Sequence, residues 1–463
     1  MKKFIVILLL VVVLIGTGIV RATERGIRTA SLEYRDHVVQ DGVTWKFREK
    51  VPVGRFVNSD FYIVGRAIIV SITPAPGNGR NGNVLNLSQD PFRSGFDDRV
   101  SDNSYEPGLS VRLPIEMAPG DVLISSISVN AVGELPAPLR PIDKSRSPVR
   151  SVSILTCLAE PVPQDAFRPS YCDREQKIYL ARNLRRDLLP RLPRVNGGLD
   201  HDSRPVSIED WADRFRRPWI DTCFFGFDAP IEYMPHYGRE VGRAVGIASL
   251  MLMLDYSAAE KEKLLVNFVQ YGIDLWGIVR AGYRGWPGHG GHGSGRKWPI
   301  IFAGIMLNDP GMQSPNKKYP SVMFGEDMQT MYGYGWTGAK ALYAGHVGKG
   351  GREGKVGWGA YEHLHPSQWP SNIGENYRRC CTSIAWVGQA LAVRIMNAQK
   401  LWNHDAFFDY VDRWMTEDDT KAIEEIKRTR GWDYSAKWAR QRQAWDPFVN
   451  EMWAKYRNAL PAQ

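Results

Sequence analysis

Near residue 160 the chain changes its hydrophobic period, and that change constrains its fold class more than any single motif does. From Val43 to Leu158, short β-rich runs alternate with turn signals. The runs are Phe61-Tyr62-Ile63-Val64, Ala67-Ile68-Ile69-Val70-Ser71-Ile72, Leu109-Ser110-Val111-Arg112-Leu113, Val122 to Val129 and Val152-Ser153-Ile154-Leu155. Between them lie Pro76-Gly77-Asn78-Gly79 and Ala118-Pro119-Gly120-Asp121, which would break a helix. The pattern predicts an antiparallel β-sandwich over 30–160.

After Pro161 the spacing becomes helical. Residues 161–205 read as a linker and 206–463 as an all-α domain, so the whole is multidomain α+β: an N-terminal antiparallel β-sandwich followed by an incomplete (α/α) toroid-like domain. Ser207-Ile208-Glu209-Asp210 is a helix start, with Pro218 as its stop. Gly238 to Leu254 repeats apolar residues every three or four positions. Asp255-Tyr256-Ser257 allows only a tight reversal, and Ser257 with Glu260 caps a helix to about Val279. Trp298 to Leu307, Glu375 to Ala398, Ala406 to Met415 and a Trp-rich tail from Tyr434 to Ala459 complete the helices. Residues 309–370 form a long Gly-, Tyr- and Trp-rich irregular stretch, which in a compact domain is usually functional.

The ends and the charge suggest an address. Met1-Lys2-Lys3 precedes the apolar run Phe4 to Ile15, and Val20-Arg21-Ala22 offers a cleavage site, so 1–22 reads as a secretory signal peptide. An uncleaved anchor is the competing reading and the one route to a membrane. Either way the folded part is expected to be secreted, periplasmic or at the cell surface. The net charge of +9 favours polyanions, acidic polysaccharide above all; with no block of consecutive Lys and Arg, nucleic acid is not expected. Of five cysteines, Cys157 and Cys172 flank a Pro-rich junction and could close a loop. Cys380 and Cys381, adjacent on a predicted helix, point to different faces and with Cys223 read as small buried hydrophobes.

Chemistry concentrates in the helical part. Gly285-Trp286-Pro287-Gly288-His289-Gly290-Gly291-His292-Gly293-Ser294-Gly295-Arg296-Lys297 combines backbone freedom with two imidazoles and two cations at the mouth of a helix. His236-Tyr237-Gly238-Arg239 enters another helix. Gly325-Glu326-Asp327-Met328-Gln329-Thr330-Met331-Tyr332 and Tyr361-Glu362-His363-Leu364-His365 stand in the long stretch. Asn372-Ile373-Gly374-Glu375-Asn376-Tyr377-Arg378-Arg379 opens the long helix. Tyr, His, Asn and Arg outnumber carboxylates in these clusters. That set suits β-elimination on a uronic acid, where a carboxylate is neutralised, the C5 proton removed and the leaving oxygen protonated. The 16 Trp and 19 Tyr are ample for a sugar-lined groove.

A β domain joined to α/α helices, with Asn, His, Tyr and Arg at helix mouths, resembles the polysaccharide lyases of the alginate-lyase and heparinase II/III type in architecture. The β domain precedes the helices here, whereas in the heparinase-like lyases it generally follows them. The resemblance implies cleavage of an acidic polysaccharide. From the residues we expect His289 or His292 as base and Tyr377 as acid. Arg296, Lys297, Asn376, Arg378, His236, Arg239, Trp286 and Tyr332 are expected to bind substrate. Two rivals stay open. A glycoside hydrolase needs paired carboxylates about 5 to 9.5 Å apart, which Glu326, Asp327, Glu375 or Glu362 could supply. A non-catalytic glycan-binding surface protein would use the same aromatics and cations. No cofactor is expected, apart from a divalent metal at His363 and His365 or at His289 and His292, joined by Glu326 or Asp327. The glycine loop lacks a Gly-Lys-Ser/Thr ending, against phosphate transfer, and Gly293-Ser294-Gly295 is not a nucleophile elbow.

Overall fold

The computed structural model describes residues 31–87, 94–99, 105–129, 148–195, 198–221, 231–235, 237–346 and 359–458. The predicted leader lies outside the described residues, as do His236 and Cys223. Among those described, no helix is long and apolar enough to cross a membrane.

The protein is mixed α+β, with a strand-rich N-terminal part and a helical C-terminal part. The strands are β1 (Glu33–Gln40), β2 (Val43–Arg55), β3 (Phe61–Val64), β4 (Ala67–Thr73), β5 (Asn83–Leu85), β6 (Ile115–Met117), β7 (Val122–Ser128) and β8 (Val149–Leu158). They belong to one eight-stranded sheet in the order β5-β7-β8-β3-β2-β4-β6, with β1 also on β2. All pairs are antiparallel except β3 with β8. The sheet curls into a half-barrel. Trp45 on β2 donates its indole N–H to Ser125 on β7 at 2.8 Å, although β8 and β3 separate the two strands in the sheet.

Alternation along β7 and β8 explains this shape. Leu123 and Leu155 join Val38, Trp45 and Ile69 in one core, while Val122, Ile124, Val152 and Ile154 point the other way into the core shared with the helices. Apolar residues on both faces bury the strand twice. One predicted strand is absent: Pro107-Gly108 turns the chain into a 3-10 turn at Pro107–Leu109, and 110–113 forms no ladder, the Val111 amide making a single backbone bond to the Asn83 carbonyl of β5.

The principal helices are α1 (Ile208–Arg214), α2 (Gly238–Met253), α3 (Ala258–Arg280), α4 (Lys297–Leu307), α5 (Ser383–Ile395), α6 (Asp405–Thr416), α7 (Thr420–Arg430) and α8 (Pro447–Tyr456). Ser207 caps α1, and Ser257 with Glu260 forms a full capping box on α3. Helix α2 crosses α5 where Gly246 meets Gly388. A Cβ on Gly246 would lie 3.0 Å from the Gly388 Cα, so only small residues permit this approach. The tail is not one helix from Tyr434, because Pro447 occupies the first turn of α8 and cannot continue a helix from before it.

The 161–205 segment ties the two parts together. Its Arg168, buried, reaches Asp60 beside β3 at 2.7 Å and Asp274 on α3 at 2.6 Å. The Cys157–Cys172 bridge that the sequence allows does not form: Cys157 is buried and its thiol donates to the Gly65 carbonyl at 3.0 Å. Cys380 and Cys381, read as separate apolar residues, are instead joined to each other in a disulfide. The bridge lies within a π-turn over Arg378–Thr382, which interrupts the regular helix between Glu375–Tyr377 and α5.

Candidate functional site

The glycine loop is pinned at its start by strand β9 (Gly285–Trp286), parallel to β10 (Met323–Phe324). It then passes between the first turn of α2 and the π-turn. Backbone lies against backbone there, so side chains have no room. A Cβ on Gly238 would collide with the carbonyls of Gly291 and His292, and one on Gly291 with the carbonyl of Cys381. Gly290 has φ +67°, and a Cβ there would stand 2.5 Å from Tyr377 Cδ1 and 3.0 Å from His346 Cε1.

Two clusters distant in sequence, and His346 besides, therefore converge on two adjoining loop residues. The Gly291 amide donates to the Tyr237 hydroxyl at 2.7 Å, and the His292 ring stands edge-on to the Tyr237 ring at 5.0 Å. The Gly290 amide donates to the His346 carbonyl at 2.8 Å, and the His346 ring lies 4.1 Å from that of Tyr377. Each glycine carries a phenol and an imidazole beside it. Tyr237 is buried, and burial pushes its phenol well above the usual range. Tyr377 is 37% exposed and so faces solvent. Arg239 borders the group: its guanidinium donates to the Cys380 carbonyl at 3.1 Å, pairs with Glu240 and lies 4.1 Å over the Trp445 ring.

Several expected substrate contacts are structural instead. Arg296 is buried and grips Asp221 with two hydrogen bonds of 2.9 Å, besides holding the carbonyls of His292 and Ser294. It shapes the loop from beneath. Lys297 is buried against Asp327. Arg378, also buried, is spent on Glu375, Glu362 and the Tyr410 hydroxyl. Trp286 is in the core, edge-on to Tyr283 and no platform for a sugar. Asn376 is exposed and accepts from the Tyr434 hydroxyl at 2.9 Å. Tyr332 is 54% exposed, its hydroxyl donating to Asp409 at 2.7 Å on the ribbon formed by β11 (Thr330–Tyr332) and β12 (Ala341–Tyr343), which leads directly to His346.

The carboxylates proposed for hydrolysis are likewise engaged. Glu326 is fully buried, accepting from the Gly295 amide and Gln389, and burial raises its carboxyl. Asp327 accepts from Lys297 and the Trp402 indole. Glu375 holds Arg378, Arg379 and the Tyr361 hydroxyl. Glu362 is buried, which would raise its carboxyl, yet Arg378 and Arg413 hold it down to about 2. Glu362 and Glu375 line a separate cleft of about 270 Å³ with Trp336, Trp369, Arg379 and Arg413.

His365 bonds Ser367 and Glu425, and among the described residues no group of three or more His, Cys, Asp or Glu stands where it could hold a metal ion. Sequence reasoning missed His346 altogether, since a lone Gly-His after a strand carries no periodic signal. Comparison with protein-family models, curated proteins and solved structures finds no match to this chain.

Proposed function

We propose that the protein is an exported carbohydrate-active enzyme that cleaves an acidic, uronate-containing polysaccharide by β-elimination. The observation that carries this is the pair of phenol–imidazole contacts, Tyr237 with His292 and Tyr377 with His346, mounted on Gly291 and Gly290. Elimination needs a base for the C5 proton and an acid for the glycosidic oxygen, and neither has to be a carboxylate. Tyr377 is the solvent-facing phenol and serves as the acid. His289 or His292, both half-buried on the loop, serves as the base. His346 fixes the Tyr377 ring, and Tyr237 fixes His292 through ring contact while holding the loop through its hydroxyl. Arg239, bordering the same loop and less buried than Arg296 or Arg378, takes the part of neutralising the substrate carboxylate.

Supporting the exported reading are the leader-like start and the disulfide at Cys380, since such bonds persist in oxidising compartments. We read the helical part as an open α/α toroid built on the α2–α5 and α3–α4 contacts, and the curled sheet as the sandwich-like domain that braces it. The engaged state of Glu326, Asp327, Glu362 and Glu375 weighs against a paired-carboxylate hydrolase.

The test is incubation with a panel of uronate polysaccharides while following absorbance near ~232 nm, where the unsaturated product of general acid–base elimination absorbs. New reducing ends without that absorbance would replace the proposal with a hydrolase. Retention on a polysaccharide gel with no turnover would replace it with a binding protein.

A further inference from the structure

A disulfide between sequence neighbours closes the shortest loop a chain can offer, so it gains the least from restricting the unfolded state. Its effect is on the local backbone, and here that backbone is the floor of the candidate site. The π-turn that holds Cys380 and Cys381 closes with the Ser383 amide on the Arg378 carbonyl. Thr382 Oγ1 adds bonds to the carbonyls of Tyr377 and Arg378 at 3.1 and 3.2 Å. The Cys380 carbonyl accepts from Arg239, and the Cys381 carbonyl packs on Gly291. One ring of covalent bonds thus fixes the turn after Tyr377, the anchor of Arg239 and the wall against the glycine loop. Cys381 is buried, whereas Cys380 is half-buried and is the more exposed of the two.

We propose that Cys380–Cys381 is a redox-responsive clasp that positions Tyr377, Arg239 and the loop at Gly290 and Gly291, and that a small dithiol opens it. One thiolate of the dithiol attacks Cys380 Sγ and breaks the Sγ–Sγ bond, leaving a mixed disulfide and a Cys381 thiolate. The second thiolate of the reagent displaces Cys380 and closes the reagent into its own disulfide. Two electrons and two protons pass from the dithiol to the protein, which ends with two thiols. The turn is then free to move toward regular helical geometry, and the two carbonyls lose their fixed directions.

The test uses the full chain and needs no substrate, so its outcome is separate from that of the elimination proposal. Alkylation without reduction, then trypsin, should yield the Cys380–Arg394 peptide unalkylated and lighter by two hydrogens than its dithiol form. After dithiothreitol, phenylarsine oxide, which bridges neighbouring thiols, should be captured on that peptide. Hydrogen exchange should become roughly fivefold or more faster at 377–382 and at Gly290 and Gly291, and recover on reoxidation, with distant core amides unchanged. The double variant Cys380→Ser/Cys381→Ser should match the reduced protein and not respond to dithiol. Alkylated thiols in the unreduced protein would overturn the proposal. So would unchanged exchange in both segments after reduction of the wild type, whatever the fate of the variant.

Discussion

The ring of Tyr377 lies 4.1 Å, centroid to centroid, from the ring of His346, and both rest against Gly290, whose missing side chain makes room for them. Any Cβ at Gly290 meets Tyr377 Cδ1 at 2.5 Å while the backbone keeps φ +67°. Gly290→Ala should therefore lose about 1–3 kcal/mol of stability from overpacking and left-handed strain, and at least tenfold in turnover. Gly338→Ala is the control. Its φ is +87° but nothing lies within 4 Å of the added Cβ, so it should show only the strain cost of about 1 kcal/mol and unchanged turnover. Urea unfolding alongside rates on an acidic polysaccharide separates the two.

Tyr377→Phe removes the hydroxyl and keeps the ring on His346. Because no described hydrogen bond of the fold uses that hydroxyl, thermal stability should stay within about 0.5 kcal/mol of the parent. Turnover should fall roughly 10²–10⁴-fold, the usual contribution of a general acid. A variant with full elimination activity would remove Tyr377 from the chemistry.

What could be read from the text and what could not divide along physical lines. Ser257 and Glu260 were legible because a capping box is a local contract among four residues. Helix α7 was missed because only Ile423 and Ile426 are buried among charged neighbours, too few to raise a periodic signal. The glycine loop stands out in the text by its composition. Its cations were misread, because an Arg looks the same in sequence whether it faces water or a buried carboxylate. The partner of Arg296 is Asp221, 75 residues earlier, and nothing between them announces the pairing. The disulfide was missed for a related reason: two adjacent cysteines diverge on an α-helix, and a π-turn leaves no trace in hydrophobic spacing.

The two arginines beside the loop should behave in opposite ways. Arg296→Met leaves the Asp221 carboxylate buried without its partner and should cost about 3–5 kcal/mol, seen as a large drop in the urea midpoint. Arg296→Met with Asp221→Leu should recover much of that loss, since it is an uncompensated charge that is costly. Arg239→Gln should unfold close to the parent yet bind acidic polysaccharide about tenfold more weakly, about 1.4 kcal/mol, by affinity electrophoresis. Equal stability losses for Arg239 and Arg296 would assign both to the scaffold.

Acid should reach the junction between the 161–205 segment and the helical part through Asp309. Burial opposes ionisation of this carboxyl, but Lys177 Nζ at 2.6 Å, the Tyr179 hydroxyl at 2.7 Å and the Met312 amide outweigh it and hold the carboxyl down to about 2. The unfolded chain takes up its proton near about 3.9, so between the two values the unfolded state binds more protons than the native one. Stability from this group is fully present above about pH 4 and is lost as the pH falls toward about 2, a change of roughly 2 kcal/mol. Asp309→Asn should lower stability by a similar amount, about 2 kcal/mol, at pH 7 and by almost nothing near pH 2. Urea melts of both proteins at pH 7, 4 and 2 measure the difference directly. Parallel curves across that range would mean that Asp309 ionises alike in the folded and unfolded chains, and that Lys177 and Tyr179 contribute nothing to the junction beyond their packing.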